Sequence, residues 1–333
     1  MFWASPSTLP LRGEFLVSNA AVLRKVVCLD STDPLLESGL TERGYFVERH
    51  YATALQELPL HDAVGVVVRS RIPINADFLV HAPHLSWIMR FGSGLENIDL
   101  QAAEARGITC IAAPEGNATA VGEHTVGLLL GLRHRIAWSH REIEQGLWLR
   151  SENKGDELEN QTVAVVGYGP MGAAFAQRLC GFGCRILAYD KYKTGYAPPG
   201  VEEVDWATVE QEATVVSLHL PLTAETRGLV TSEWISRFAH PFTLLNTSRG
   251  AIAPTSVLLR GLERGELLGV GLDVLDFEKA SLTGLETDAW PADLQALLAN
   301  PRALLTPHVA GWSHQSFPKM AQVLLAKHDL QFS

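Results

Sequence analysis

One glycine-rich run in the middle of the chain constrains the fold more than any other feature. Residues 163–172 read V-A-V-V-G-Y-G-P-M-G, an apolar strand-like run that continues into a helical pattern. A second apolar run, residues 185–189, ends at Asp190. A strand, a tight glycine turn, a helix and a following acid are typical of a dinucleotide-binding unit. The alternative is a glycine-rich turn in an ordinary α/β domain.

Each position of this motif has a mechanical reason. Gly167 permits the tight turn, Gly169 lets a pyrophosphate approach the backbone at a helix N-terminus, and Gly172 lets the helix pack closely on the strand. Asp190 would accept hydrogen bonds from both ribose hydroxyls, which favours NAD because a 2′-phosphate would face a carboxylate. The contacts predicted from the turn are Gly167, Gly169, Pro170, Met171 and Gly172.

The length and composition favour two globular domains and exclude several classes of partner. The chain has 333 residues, of which 47% are apolar and 19% charged. Its formal net charge is −10 and it has no basic run, so we expect no nucleic-acid partner. The apolar helical patch near residues 126–132 is too short to cross a bilayer, so we expect no membrane segment.

The four cysteines carry no metal or disulfide pattern. They are Cys28, Cys110, Cys180 and Cys184, and their spacing fits neither a metal site nor a disulfide framework. Reduced thiols in a chain of this length indicate a cytoplasmic protein, and we expect no bound metal.

Alternating strand and helix patterns predict two parallel sheets. Residues 1–24 fit neither a signal peptide nor a domain, and we expect a disordered extension there. A long helical pattern covers residues 118–146, and residues 281–301 form an insertion with a helical pattern of its own. The predicted strands are 26–29, 64–68, 87–90, 109–112, 163–166, 185–189, 215–218, 243–246, 269–272 and 303–306.

Six further sequence blocks accompany the glycine motif in a fixed order. They are R-F-G-S-G-L-E-N-I-D (90–99), N-A-T-A-V-G-E-H-T (117–125), S-L-H-L-P-L-T (217–223), L-N-T-S-R-G (245–250), G-L-D-V-L-D-F-E (271–278) and T-P-H-V-A-G (306–311). Through these blocks the chain, from about Lys25 to its C-terminus, resembles the D-isomer-specific 2-hydroxyacid dehydrogenases, and within them the phosphoglycerate dehydrogenases without a regulatory tail. The resemblance implies a Rossmann NAD-binding domain, residues 118–305 with a long bridging helix, inserted into a flavodoxin-like substrate domain of residues 25–117 and 306–333.

The same resemblance implies a catalytic set. Reduction of a 2-keto acid needs a cation for the carboxylate and carbonyl and a donor for the alkoxide proton. Arg249 can supply the cation, His308 the proton, and Glu278 can orient the imidazole. Each residue alone could be an ordinary surface or turn residue. Lys279 follows Glu278 where family members commonly have proline, so Asp276 is the fallback acid.

Further positions follow from the resemblance. Asp273 would accept a hydrogen bond from the nicotinamide carboxamide, although an acid there could also cap the end of a strand. Main-chain N–H groups of Ser93 and Gly94 would hold the substrate carboxylate. Asn97 is expected to support that turn and His219 the loop over the cofactor. The remaining cofactor-lining positions are Thr125, Pro221, Thr247 and Gly311.

The substrate is predicted from one short run. Arg69, Ser70 and Arg71 follow a strand-like run, and the two arginines could hold a phosphate at the distal end of the substrate. This favours 3-phosphoglycerate. Glyoxylate or hydroxypyruvate reduction is the alternative reaction, and an NAD(H)-sensing binding protein without turnover is the alternative of another class. The helix after Asn117 is apolar on more than one face, which predicts a homodimer.

Overall fold

Two parallel sheets organise the chain in the computed structural model, which describes residues 24–278 and 290–332. The first sheet has five strands in the order β2-β1-β3-β4-β5, and the second has seven in the order β12-β11-β10-β9-β6-β7-β8. Every pairing between neighbouring strands is parallel. Two doubly wound α/β units of this kind confirm the predicted fold class.

The first unit alternates strands with helices. Its strands read as apolar runs because both faces of a parallel sheet are covered. Polar caps begin its helices: Asp33 accepts from the N–H of Leu35, and Asn75 from that of Phe78. The elements are β1 (Arg24–Cys28), α1 (Pro34–Glu42), β2 (Tyr45–Arg49), β3 (Ala63–Val68), α2 (Ala76–Val80), β4 (Trp87–Arg90), α3 (Leu100–Glu104) and β5 (Thr109–Ala112).

Two helices lead into the second unit, α4 (Pro114–Arg133) and α5 (Ile136–Glu144). The prediction of one helix over residues 118–146 was wrong, because Arg135 takes a left-handed backbone with a φ of 54° and ends the hydrogen-bonding pattern. The helix α4 packs inside the chain, with buried Val121, Leu128 and Leu129. Its apolar character is therefore accounted for within one molecule.

The second unit contains the glycine motif at its first strand. Strands β2 and β8 were not predicted, whereas each of the ten predicted strands is present. The elements are β6 (Thr162–Val166), α6 (Pro170–Leu179), β7 (Arg185–Tyr189), β8 (Glu202–Glu203), α7 (Trp206–Glu212), β9 (Val215–Leu218), α8 (Ser232–Ser236), β10 (Phe242–Asn246), α9 (Thr255–Glu263), β11 (Leu267–Leu272), α10 (Ala292–Ala299) and β12 (Ala303–Leu305).

The last helix returns to the first unit. Helix α11 (Ser316–Phe332) packs its buried Met320, Ala321 and Leu324 into the same core cluster as Val26 and Cys28 of β1. The chain thus crosses between the units twice, once through α4 and once before α11. Of the disordered extension expected over residues 1–24, residues 1–23 lie outside the described residues, and Arg24 lies in β1. Residues 281–289 of the predicted insertion, and Lys279 before it, also fall outside the described residues, whereas its predicted helical pattern is present as α10.

Candidate active site

A cleft lies between the carboxyl ends of the two sheets. Residues that follow β3 and β4 form one wall, and residues that follow β9, β10 and β11 form the other. Ligands of doubly wound folds bind at this edge of the sheet. The predicted site residues that line the cleft are Arg69, Ser70, Ser93, Gly94, Met171, Pro221, Thr247, Arg249, Asp273, His308 and Gly311.

The side chains of His308 and Glu278 are hydrogen-bonded to each other in one wall of the cleft. Nδ1 of His308 lies 2.7 Å from Oε2 of Glu278, whose Oε1 accepts a hydrogen bond of 2.5 Å from the N–H of Leu275. The fallback acid points elsewhere, since Asp276 accepts from the hydroxyl and the N–H of Thr255 at the start of α9. The carboxylate that orients the histidine is therefore that of Glu278.

The buried side chain of Asp273 organises the turn that carries this histidine. Its carboxylate accepts from the hydroxyl of Thr306 at 2.6 Å and from the N–H groups of Val309 and Ala310 at 2.9 and 2.8 Å. The turn places His308 in the left-handed region with a φ of 54°. The contacts of Asp273 are therefore those of an acid that caps the end of a strand. Its hydrogen bond to the nicotinamide carboxamide stays a prediction.

The guanidinium of Arg249 bridges the two walls. Its Nη2 lies 2.9 Å from both carboxylate oxygens of Glu96, and its Nη1 donates to the main-chain oxygen of Ser248. Gly94 leaves the room for this pair, because a Cβ there would lie 2.0 Å from Nη2. Burial raises the pKa of Glu96, but the charge and hydrogen bond of Arg249 outweigh it and hold the pKa below its usual value.

Glu96 was missed at the sequence level. It stands two residues after Gly94 in a block already assigned to the carboxylate-binding turn, which is the signal that could have found it. Its contact joins residues 153 positions apart, so it depends on how the two units dock.

Arg90 is a second missed residue of the cleft. It ends β4, and its Nε is buried without a hydrogen-bond partner among the described residues. Burial, followed by the nearby charge of Arg249, lowers the pKa of Arg90 to about 10, so it stays protonated at neutral pH. Three cations, Arg69, Arg90 and Arg249, therefore face the cleft.

The two arginines of the predicted phosphate loop have different surroundings. Arg71 does not reach the cleft: it donates to the main-chain oxygens of Leu29, His50 and Thr53 at 2.9, 2.7 and 2.9 Å. The expectation of a phosphate-binding Arg71 is therefore corrected to a role in tying three loops together. Arg69 keeps its place in the cleft wall.

The turn after β4 is held by side-chain contacts. Ser93 donates its hydroxyl hydrogen to Oδ1 of Asn117 at 2.7 Å, which links the turn to the start of α4. The main-chain oxygen of Asn97 accepts from the N–H of Ile74, whereas its side-chain Nδ2 is buried without a hydrogen-bond partner among the described residues, so a supporting role of this side chain stays a prediction. Ser93 and Gly94 thus line the cleft on a fixed backbone.

Two of the three glycines of the motif have no room for a side chain. A Cβ on Gly167 would lie 2.5 Å from the main-chain oxygen of His219, and one on Gly172 would lie 2.1 Å from that of Gly167. Gly169, at the N-cap of α6, faces open space, with nothing within 4 Å of a Cβ. Asp190 is oriented by N–H groups of Tyr168 and Tyr192 at 2.9 and 3.0 Å.

Two further predicted residues are buried at the second unit's wall: Thr125 lies behind it, and His219 lines the cleft. Buried Thr125 places its hydroxyl 3.1 Å from that of Thr247. The ring of His219 is buried against Phe175 with Nε2 2.9 Å from the Ser217 hydroxyl, and burial lowers its pKa to about 3. A neutral, enclosed His219 fits the supporting role expected of it.

The described residues contain no group of three or more metal-ligating side chains and no helix long and apolar enough to cross a membrane.

Comparison with known proteins identifies relatives of both units. Residues 126–310 match the family model of the D-isomer specific 2-hydroxyacid dehydrogenase NAD binding domain. The chain is 30% identical over 306 residues to D-3-phosphoglycerate dehydrogenase of Bacillus subtilis, covering 91% of this chain but 55% of that protein. It is 32% identical over 264 residues to hydroxypyruvate reductase of Thermotoga maritima, covering 79% of this chain and 82% of that protein.

A solved structure extends the likeness to the whole fold. D-lactate dehydrogenase of Aquifex aeolicus in complex with NAD and lactic acid superposes with a TM-score of 0.77 at 25% identity, over 92% of this chain and 95% of that one. The chain therefore spans nearly all of that D-lactate dehydrogenase, and about half of the phosphoglycerate dehydrogenase that it matches.

Proposed function

Because the chain belongs to the D-isomer-specific 2-hydroxyacid dehydrogenase family and carries its NAD-binding domain, we propose that it interconverts a D-2-hydroxy acid and its 2-keto acid with NAD(H). The favoured substrate is 3-phosphoglycerate. The observation that carries the proposal is the imidazole–carboxylate pair of His308 and Glu278, which shares one wall with Arg249 and faces Arg69 and Arg90 in the other.

Side chains and main-chain groups of the protein would transfer the proton and bind the substrate carboxylate. Because Nδ1 of His308 is held by Glu278, its Nε2 is left to give a proton to the carbonyl oxygen, or to take one in the oxidative direction. The planar fork of Arg249 suits a carboxylate and an adjacent carbonyl oxygen. Main-chain N–H groups of Ser93 and Gly94 would hold the other side of the carboxylate.

The residues around the glycine turn fit a dinucleotide. Gly169 faces open space at the N-terminus of α6, where a pyrophosphate would be held by main-chain N–H groups. Asp190 stands at the end of β7, where it can accept from ribose hydroxyls. When bound, the nicotinamide would supply or receive the hydride. Thr125, Pro221, Thr247, Asp273 and Gly311 would line its pocket.

The substrate assignment rests on Arg69 and Arg90. Both line the cleft beside Arg249, which gives more positive charge than one carboxylate requires, and a distal phosphate would use it. Hydroxypyruvate reduction is the second candidate, favoured by the 82% coverage of the Thermotoga maritima reductase. Steady-state NADH absorbance with 3-phosphohydroxypyruvate, hydroxypyruvate and glyoxylate tests the proposal. No turnover of any of them despite tight NADH binding would favour an NAD(H)-sensing protein.

We also propose that the chain is a homodimer. Since α4 is packed internally, the surface available for a second copy is the exposed apolar stretch with Ile136, Ile143, Leu147 and Trp148. The mass of the chain in solution tests this.

Arg69→Ala is expected to act on phosphorylated substrates alone. Loss of a charge-assisted hydrogen bond should raise KM for 3-phosphohydroxypyruvate by about 10- to 100-fold. Kinetics with hydroxypyruvate should stay within about twofold, because that substrate has no distal phosphate.

Arg71→Ala is the matched control for this variant. Since Arg71 donates to three carbonyls away from the cleft, its loss should lower the melting temperature and affect both substrates equally. An equal loss on both substrates with Arg69→Ala would remove the phosphate assignment.

Alanine at two motif glycines should separate folding from cofactor binding. Gly172→Ala forces a Cβ against the main-chain oxygen of Gly167, so the melting temperature without cofactor should fall. Gly169→Ala meets nothing in the chain, so it should leave that temperature unchanged and weaken NADH binding by about tenfold or more, because the added methyl group stands where the pyrophosphate approaches. Differential scanning fluorimetry and NADH fluorescence measure the two effects. Unchanged NADH binding in Gly169→Ala would contradict the assigned site.

A further inference from the structure

An exposed tryptophan stacks on the arginine that we assign to the distal phosphate. The guanidinium carbon of Arg69 lies 4.6 Å from the centroid of the Trp312 ring and 5.5 Å from that of Phe317. Trp312 is 58% exposed and lines the cleft, although a large aromatic side chain is costly to leave in water. It was not among the sequence-predicted site residues.

The aromatic side chains around Arg69 form a continuous cluster. Trp312 contacts Phe317 edge-on with ring centroids 5.6 Å apart, and Phe317 contacts the buried Phe91 at the same distance. The main-chain N–H of Trp312 donates to the main-chain oxygen of Val309 at 2.8 Å, so the backbone of residue 312 belongs to the turn that follows His308. The stack therefore ties an arginine of the first unit to the turn that carries the proposed proton donor.

Stacking leaves the hydrogen-bonding edge of a guanidinium available. An aromatic ring takes up one flat face of arginine, while its N–H donors lie in the plane and remain for an anion. Nη1 of Arg69 donates to the main-chain oxygen of Ser31 at 3.4 Å, a long and weak hydrogen bond that an anion can replace. The N–H of Arg69 donates to Asp30 at 2.6 Å, which fixes the backbone but not the side chain.

We propose that Trp312 is a positioning residue that selects substrates with a distal phosphate by holding the guanidinium of Arg69 with its edge toward the cleft. The inference rests on the proposed function. A lysine could not replace Arg69 in this role, because an ammonium group lacks the planar fork and the flat stacking face. A phenyl or phenol ring at position 312 could replace the indole in part.

A double-mutant cycle tests the proposal. Trp312→Ala should raise KM for 3-phosphohydroxypyruvate by about five- to tenfold with kcat within about twofold, and Trp312→Tyr should raise KM less, because a phenol ring replaces the indole in part. In the Arg69→Ala background, Trp312→Ala should have no further effect, because a positioning residue acts only through its partner. Hydroxypyruvate kinetics and the melting temperature should stay unchanged, since more than half of the indole is exposed.

Additive effects of the two substitutions, or an equal rise in KM for hydroxypyruvate, would overturn the proposal. The wild-type protein tests the substrate assignment separately, through its preference for 3-phosphohydroxypyruvate. If the wild type turns over only unphosphorylated keto acids, the substrate assignment fails. The role of Trp312 is then tested by measuring the inhibition constant of inorganic phosphate for the wild type, the two single variants and the double variant. A phosphate inhibition that Arg69→Ala weakens and Trp312→Ala leaves unchanged would overturn the role of Trp312.

Discussion

Replacement of His308 by alanine is expected to lower kcat by about 10²- to 10⁴-fold, the usual contribution of a positioned general acid or base. The affinity for NADH should change by less than about twofold, because the Glu278 partner and the glycine turn are untouched. The reason is geometric: Glu278 holds Nδ1 at 2.7 Å, so the imidazole presents its other nitrogen to the cleft. Steady-state NADH absorbance and NADH fluorescence titration measure the two quantities.

A second variant separates chemistry from backbone strain. His308 has a φ of 54°, a conformation that alanine adopts at a cost and asparagine adopts more readily. His308→Asn should therefore keep the melting temperature close to that of the wild type and lose as much activity as His308→Ala. A large loss of NADH affinity in His308→Asn would contradict the proposed role, since it would place the histidine in cofactor binding.

The Glu278→Gln variant tests whether Glu278 acts through His308 or only stabilises the fold. Glutamine can keep the hydrogen bond to His308 but lacks the negative charge of the carboxylate. The kcat for keto-acid reduction should therefore fall by about tenfold, while KM, the affinity for NADH and the melting temperature stay nearly constant. A kcat equal to that of the wild type would show that the carboxylate does not act through the histidine.

The sequence predicted the parallel strands well because their burial makes them continuous apolar runs. Strand β2 escaped because it lies at the edge of its sheet and reads Y-F-V-E-R, with polar residues at its end. The break between α4 and α5 escaped because no glycine or proline marks it: Arg135 itself takes the left-handed conformation.

The sequence predicted those site residues whose position depends on neighbouring residues in the chain. The glycine turn and Asp190, which directly follows β7, are of this kind, since strand, turn and helix are contiguous in the chain. Glu96 and Arg90 were missed because their partners come from the docking of two units. Arg69 and Arg71 looked equivalent in sequence, and only the packing of the surrounding loops shows that one faces the cleft while the other binds three carbonyls.

Arg249→Ala is expected to lower kcat/KM by about 10³-fold, because removal of one preorganised donor at a developing oxyanion costs about 10²- to 10³-fold and the carboxylate clamp is lost as well. Arg249→Lys should recover part of this loss, since an ammonium keeps the charge but not the planar fork. Arg237, which pairs with Glu210 at 2.8 Å on the surface of the same unit, offers a control whose alanine variant should stay within about twofold of the wild type.

The ion pair between Arg249 and Glu96 leads to a more specific prediction for the Arg249→Ala variant. Arg249 keeps the pKa of Glu96 below its usual value, so the pair is charged on both sides at neutral pH and spans the two walls of the cleft. Removal of the arginine leaves that carboxylate beside the place where the substrate carboxylate must bind, and repulsion adds to the lost attraction. Glu96→Gln in the Arg249→Ala background should therefore recover part of the lost substrate affinity, read as a fall in KM. If the double variant binds the keto acid no better than Arg249→Ala alone, Glu96 does not face the substrate carboxylate, and the site assigned to it between Gly94 and Arg249 is wrong.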